Sequence, residues 1–136
     1  MADLLECLLQ VKALRESIAR LGALRARAEA SSDAARRRVE DAEQSMVEAE
    51  RGWQISLALA LPDLAADRLP PDGSVTQFGP MRAATLAVLD RCNAAQLNAA
   101  AEVGGGAPGT VADLVAHMLA SDTELLGALR VIVERP

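Results

Sequence analysis

Residues 3–29 read DLLECLLQVKALRESIARLGALRARAE, and this stretch decides the fold class. Its apolar residues recur at spacings of three and four, which places them on one face of a helix. They are Leu4, Leu8, Val11, Leu14, Ile18, Leu21 and Leu24. Leu5 and Leu9 form a second apolar strip. Because a core helix buries about one stripe, we expect this extra strip to meet a partner subunit.

The same pattern predicts four helices, over about 3–29, 34–61, 80–102 and 110–134. Ser31-Ser32-Asp33 is a group of N-cap residues that separates the first two helices. Pro62 ends the second helix, and Pro80 suits the first position of the third. Thr110 with Asp113 predicts a capping box at the start of the fourth, whose apolar face continues to Ile132. The helices together make one domain, 1–136.

Composition supports an all-α class. The chain has 28 Ala and 20 Leu among 136 residues, and only 1% aromatic residues. Ala and Leu are strong helix formers, whereas a β sandwich or barrel needs β-branched and aromatic residues. The apolar content, 51%, is too high for intrinsic disorder.

The connections constrain the topology. Residues 62–79 form a turn-rich link with Pro70, Pro71 and Asp72-Gly73, anchored by Leu61, Leu64 and Leu69. This link is long enough to cross the whole length of a helix pair. Up-down-up-down and up-down-down-up four-helix bundles both fit, and the long crossover between helices 2 and 3 favours the second. Gly104-Gly105-Gly106 predicts a short, flexible break after the third helix.

Charge and cysteine content exclude several classes of function. The net charge of −5 argues against nucleic-acid binding. No apolar run is long enough for a membrane span, and the first residues lack the basic region of a signal peptide. Two Cys without such a signal fit a cytoplasmic location. Cys7 and Cys92 lie among apolar residues and are expected to be buried structural thiols.

Charged residues cluster in two places. Residues 36–50 hold three Arg followed by acids from Glu40 to Glu50, which predicts a solvated helix face with Arg36–Glu40 and Arg37–Asp41 pairs. The alternative interpretation is that these charged residues form a docking patch for a partner. The segment from Lys12 to Arg38 contains eight of the 14 basic residues and predicts a basic end for an anion or acidic partner.

Three segments resemble a known family. They are residues 49–53 (AERGW), 81–86 (MRAATL) and 109–117 (GTVADLVAH). Over roughly residues 40–133 the chain resembles the DinB-like superfamily of damage-inducible four-helix bundles, which includes relatives of the bacillithiol and mycothiol S-transferases. The resemblance implies an up-down-down-up bundle, often a homodimer, with a divalent metal held by three His.

The positions that match those ligands are Ser45, Ser121 and Leu125 in this chain. Leucine offers no ligand atom and a neutral serine is a weak ligand, so we expect no metal and no cofactor. A remnant pocket is predicted from Ser45, Trp53, His117, Ser121, Asp122 and Leu125, with no catalytic residue. His117 is expected to be structural or exposed. Asp122 lies on the apolar stripe and is expected at the bundle edge or paired with an Arg, rather than acting as a general base.

Three functions are compatible with these observations. The first is a non-catalytic DinB-like bundle that binds a protein or a small apolar ligand, or forms a homodimer through Leu5, Leu9, Val47 and Leu59. The second is a metal-independent, thiol-dependent transferase or isomerase that uses His117 and Asp122. The third is an adaptor in which residues 3–61 form a projecting helical hairpin. Because the metal-ligating histidines implied by the resemblance are absent, an enzyme is the less favoured class of function.

Overall fold

A computed structural model describes residues 3–71 and 74–134. The chain is mostly helical, with one small two-stranded sheet. The elements in chain order are α1 (Leu4–Ser31), α2 (Asp33–Ala60), α3 (Pro62–Ala65), α4 (Phe78–Leu89), α5 (Ala94–Leu97), β1 (Ala100–Glu102), β2 (Pro108–Thr110) and α6 (Val111–Glu134).

The first two helices are separated by a single residue. The backbone N–H of Ser32 bonds to the Ala28 carbonyl at the end of α1, and its hydroxyl accepts a hydrogen bond from the Ala35 N–H at 3.0 Å. Ser32 therefore terminates one helix and caps the next, as the serine cluster predicts. Its extended backbone reverses the chain, so α1 and α2 run antiparallel.

The buried faces differ in part from the predicted stripes. Leu4 and Leu8 are exposed, and Cys7 occupies the core position in the first turns of α1. Ile132 is also exposed, so the apolar face of α6 ends at Val133 instead. Val47, predicted on the surface, is buried. The other predicted stripe residues include Leu14, Met46 and Met118, which are buried, so periodicity identifies the core face of each helix and misses single positions beside it or at its ends.

The predicted third helix, 80–102, is wrong at both ends. It begins at Phe78, two residues before Pro80, and ends at Leu89. After a turn, Asn93 starts a new short helix, because its side chain accepts from the Gln96 N–H while Gln96 Oε1 accepts from the Asn93 N–H, both at 2.8 Å. This capping box starts α5 within the predicted helix.

The predicted flexible break is a structured β hairpin. Gly105 and Gly106 both have positive φ angles, 58° and 82°, as a two-residue turn between antiparallel strands requires. Gly109 allows the Val103 side chain to lie close to the backbone of β2, because a Cβ atom at position 109 would collide with that side chain. The all-α prediction therefore missed one hairpin.

Beyond the hairpin, α6 begins with the predicted capping box. Asp113 N–H donates to Thr110 Oγ1 at 3.2 Å, and Thr110 N–H donates to Asp113 Oδ2 at 3.0 Å. The reciprocal bonds satisfy two backbone N–H groups at the helix start.

The link between α2 and α4 starts with Pro62 at the first position of α3. Leu61 is buried, and Leu64 and Leu69 are half-buried against the core, so they anchor the link as predicted. The predicted turn residues Asp72-Gly73 lie outside the described residues.

Four long helices pack together through specific pairs. Ser17 contacts Asp122 and Arg27 contacts Glu134, so residue numbers rise together along α1 and α6. They also rise together along α2 and α4, where Glu43 bonds to Phe78 and Glu50 to Arg82.

The core consists of two apolar clusters at different levels along these helices. One includes Leu14, Trp53 and Met118, and the other includes Leu21, Val47 and Leu126. The level between them is occupied by buried polar side chains.

Candidate functional site

Arg82 lies at the centre of the molecule. Its side chain is 0% exposed, as is that of Glu50, and Asp122 is 3% exposed. A buried charge of this kind persists only where it is paired and hydrogen-bonded. The guanidinium also lies over the Phe78 ring, 4.7 Å from the centroid, in a cation–π contact.

All five N–H groups of Arg82 have acceptors. Nε donates to both Glu50 carboxylate oxygens at 3.0 Å, and Nη2 donates to Glu50 Oε1 and Asp122 Oδ1 at 2.9 Å. Nη1 donates to Asp122 Oδ2 at 2.7 Å and to the Leu14 carbonyl at 2.9 Å. The planar guanidinium group of Arg82 thus binds the carboxylates of Glu50 and Asp122 along two of its edges.

The cluster joins all four long helices. Glu50 is on α2, Arg82 on α4 and Asp122 on α6, while α1 supplies the Leu14 carbonyl and Ser17. The Ser17 hydroxyl donates to Asp122 Oδ2 at 2.5 Å. One cation therefore links helices that are far apart in the sequence.

The pKa of Arg82 reflects this environment. Burial alone would lower the guanidinium pKa, but the hydrogen bonds and negative charges of Asp122 and Glu50 outweigh burial and raise it above its ordinary value. Arg82 is a permanent cation here, and a proton-transfer role for it is excluded.

Two neutral side chains complete the polar level. Gln54 Nε2 donates to the Met81 carbonyl at 2.9 Å and to Thr85 Oγ1 at 3.1 Å. Within the described residues, every buried side-chain nitrogen and oxygen has a hydrogen-bond partner. A fully satisfied network of this kind adds rigidity.

Five of the six predicted pocket residues line one small cavity. Ser45, Trp53, Ser121, Asp122 and Leu125 surround about 30 Å³ between α2 and α6. This volume has room for one or two water molecules. It is far below the 300–1,000 Å³ typical of small-molecule sites.

His117 does not line this cavity. Its exposed ring meets the Trp53 ring edge-on, with centroids 5.9 Å apart. Its Nε2 lies beside Gly104 of the hairpin. The imidazole packs over the end of the core and lies apart from the polar cluster.

The residues around the cavity do not suit a divalent cation. Leu125 has no donor atom, Ser45 and Ser121 offer only neutral hydroxyls, and both Asp122 oxygens already accept hydrogen bonds. No group of three or more His, Cys, Asp or Glu side chains suited to a metal occurs within residues 3–71 and 74–134.

The two thiols are held in their protonated form. Burial raises the pKa of Cys92 to about 11, and the negative charge that Cys7 would carry as a thiolate is the smaller cause. Burial and the charge of Glu6 raise the pKa of Cys7. A thiol with a raised pKa is a poor nucleophile at neutral pH.

Sequence reasoning missed three members of the central cluster. Glu50 was assigned to a solvated acidic face, whereas it is fully buried, and Arg82 and Ser17 were not singled out. A signal for Glu50 exists, since Met46, Glu50 and Trp53 share one helix face by spacing. Asp122 pairs with an Arg as expected, although it lies in the core and not at an edge.

The basic–acidic run on α2 also differs from its predicted pairing. Arg36 forms its ion pair with Asp33, one turn earlier, and not with Glu40. Asp33 is the acid in the first turn of α2, where a negative charge is favourable.

Comparison of the chain with protein-family models, curated proteins and solved structures found no match. The resemblance to the DinB-like superfamily therefore stays a prediction. Among the described helices, none combines the length and the apolar character needed to cross a bilayer.

Replacing Arg82 by Met tests the cluster. The substitution leaves the Glu50 and Asp122 carboxylates buried without their cation, so we expect the free energy of unfolding to fall by about 3–5 kcal/mol. Urea denaturation measures this loss. Arg38→Met, at an exposed position, is the control and should change stability by less than about 0.5 kcal/mol. A loss below about 1 kcal/mol for Arg82→Met would contradict the role of the cluster.

Alkylation tests the state of Cys92. With a pKa of about 11 in place of 9.0, the thiolate fraction at pH 8 falls roughly a hundredfold. We expect iodoacetamide to label Cys92 at least that much more slowly in the folded protein than in urea, with the rate rising through pH 10. Peptide mass spectrometry follows the reaction. Labelling at the rate of an unfolded thiol would show that the pKa of Cys92 is not raised, which would contradict the prediction.

Proposed function

We propose that the chain is a non-catalytic, DinB-like helical module whose function is association with a protein surface, in the first place that of a second copy. We further propose that its four long helices form an up-down-down-up four-helix bundle. Cytoplasmic location is part of this proposal, because two free cysteines fit a reducing compartment.

The bundle assignment is supported by the helix pairs. Residue numbers rise together along α1 and α6 and along α2 and α4, while the Ser32 turn makes α1 and α2 antiparallel. Such a set of directions requires a long link between α2 and α4, and residues 61–77 provide it.

The absence of catalysis is supported by the state of each candidate group. Asp122 is saturated with hydrogen bonds, and the cavity beside it has room only for one or two water molecules. His117 lies on the surface against Trp53. The alternative transferase or isomerase needs His117 and Asp122 to share a substrate, and they face different surroundings.

The adaptor alternative needs the α1–α2 hairpin to extend beyond the other helices. In this fold α6 contacts α1 from the level of Cys7 to Arg27, which leaves little of the hairpin unsupported. Association through a face of the packed helices is therefore favoured.

The main support for self-association is a group of exposed leucines. Leu4, Leu5, Leu8 and Leu9 occupy the first two turns of α1 and are 44–66% exposed. A contiguous apolar patch on a soluble chain is typical of an interaction site. Leu59 is exposed as well, whereas Val47 is in the core and does not contribute.

The leucine patch is too small to hold a dimer together by itself. Burying the exposed half of each leucine contributes on the order of 1 kcal/mol, hence roughly 8 kcal/mol for the eight leucines of two copies. The loss of translational and rotational freedom on association costs about 4–15 kcal/mol. A stable dimer therefore needs further contacts beyond the leucines.

Leu9→Glu tests the proposal. The variant places a charge in the apolar patch, so we expect the wild type to sediment as a dimer and the variant to sediment as a monomer at the same concentration in sedimentation velocity. Thermal unfolding measured on monomer should be unchanged, because Leu9 is outside the core.

Ile55→Glu is the matched control, since Leu9 is 59% and Ile55 57% exposed and Ile55 lies on α2 beside the link. It should dimerise like the wild type. A wild-type chain that stays monomeric across a hundredfold range of concentration would overturn self-association.

A further inference from the structure

A recess lies between α2 and the link that joins α2 to α4, and we call it the link recess. It has about 160 Å³ of space, compared with about 30 Å³ for the cavity beside Asp122. None of the described residues that line the link recess also lines that cavity. Its apolar walls come from α2, the link and α4, and they are Ile55, Ala58, Leu69, Pro70, Val75 and Met81.

The walls of the link recess are held in place before any ligand binds. Arg51 on α2 donates from Nη2 to the Val75 carbonyl at 3.4 Å, which ties the link to the helix. Pro70 and Pro71 line the recess with fixed φ angles. Met81 is buried in the core. Because these walls have little freedom left to lose, ordering them costs little when a ligand binds.

Gln54 provides a polar group in the lining of the recess. The residue is only 6% exposed, and its Nε2 donates to the Met81 carbonyl at 2.9 Å and to Thr85 Oγ1 at 3.1 Å. Both hydrogens of the amide group are therefore used on α4. Because a carbonyl can only accept a hydrogen bond, the contact with Met81 also fixes which end of the Gln54 amide is the nitrogen and which is the oxygen.

The Oε1 atom of Gln54 accepts no hydrogen bond from the residues that the structure describes. Every fully buried side-chain oxygen in the same ranges has a partner, so this oxygen must be open, and the space that Gln54 lines is the link recess. An acceptor in apolar surroundings is stabilised when a ligand donates to it. Ile55 is 57% exposed at the same recess, which is an apolar surface that a ligand would cover.

The volume of the recess and its open acceptor define the class of ligand. An apolar cavity of about 150 Å³ holds one benzene molecule, so the link recess has room for a single ring. One hydroxyl or N–H group on that ring would donate to Gln54 Oε1. No carboxylate from residues 3–71 or 74–134 lines the recess, so a cationic ligand would lose its water without gaining a counter-charge. A neutral ligand is therefore favoured.

We propose that the link recess binds a neutral small molecule of the phenol class, with one ring and one hydrogen-bond donor, and that this donor bonds to Gln54 Oε1. The site is separate from the surface proposed for self-association, because the leucines at the start of α1 do not line it. It is also separate from the remnant pocket predicted from the sequence, which lies beside Asp122. The two proposals therefore stand or fall independently.

Phenol and anisole test the role of Gln54 without changing the protein. The two compounds share a ring and an oxygen atom, but only phenol has a hydroxyl group to donate. We expect phenol to bind at least about tenfold more tightly than anisole, because anisole leaves Gln54 Oε1 without a partner. A ¹H–¹⁵N NMR titration of the full chain gives both dissociation constants. The saturable shifts should centre on the backbone amides of Ile55, Ala58 and Leu69.

Ala58→Phe tests the location of the site. The variant places a ring at the recess from an exposed position of α2, so phenol should bind at least about tenfold more weakly. Ala34→Phe, the same change at another exposed position of α2, should bind phenol like the wild type. Anisole that binds as tightly as phenol, or phenol binding that Ala58→Phe leaves unchanged, would contradict the proposal. A wild type without saturable shifts in phenol would overturn the site, while sedimentation velocity decides self-association separately.

Discussion

The ion cluster of Arg82, Glu50 and Asp122 is the constraint on which the rest of the molecule depends. A guanidinium at 0% exposure requires acceptors for five N–H groups, and this chain draws them from all four long helices. Each helix must therefore hold one rotation and one level along its axis, because a shift of one residue would remove an acceptor. Apolar packing of Ala and Leu alone does not impose such a register, since these residues pack in many similar ways. We attribute the unique arrangement of the helices to this cluster.

The same cluster determines the polar chemistry of the interior. Its polar atoms satisfy one another, and the small cavity beside Asp122 is lined by Leu125 and two serines where a metal site would need charged or imidazole ligands. The leucines at the start of α1, in contrast, are exposed to solvent. This contrast is the reason that we propose association through the surface of the chain.

Sequence patterns predict the helices whose ends have strong local signals. They fail where contacts between distant residues determine the structure. The Ser32 cap and the Thr110–Asp113 box were readable because capping depends on neighbouring residues. The third helix was overextended because residues 90–102 are rich in Ala, while the Asn93 cap and the Gly105-Gly106 turn convert them into a short helix and a hairpin. Five of the six predicted pocket residues line one small cavity, but the sequence does not indicate that Glu50 and Arg82 are buried beside it. Charged residues look like surface residues until their partners, 32 and 40 positions away, are known.

The central claim is that the cluster of Arg82, Glu50 and Asp122 fixes the register of the helices. The triple variant Glu50→Leu, Arg82→Met, Asp122→Leu tests this claim most directly, because it removes all three charges together and leaves none unpaired. Equilibrium urea unfolding gives the result. The account predicts a helical protein that unfolds over a broader range of urea concentration, with a smaller m-value than the wild type, because its helices no longer hold one register. A triple variant that unfolds with the m-value of the wild type would contradict the claim.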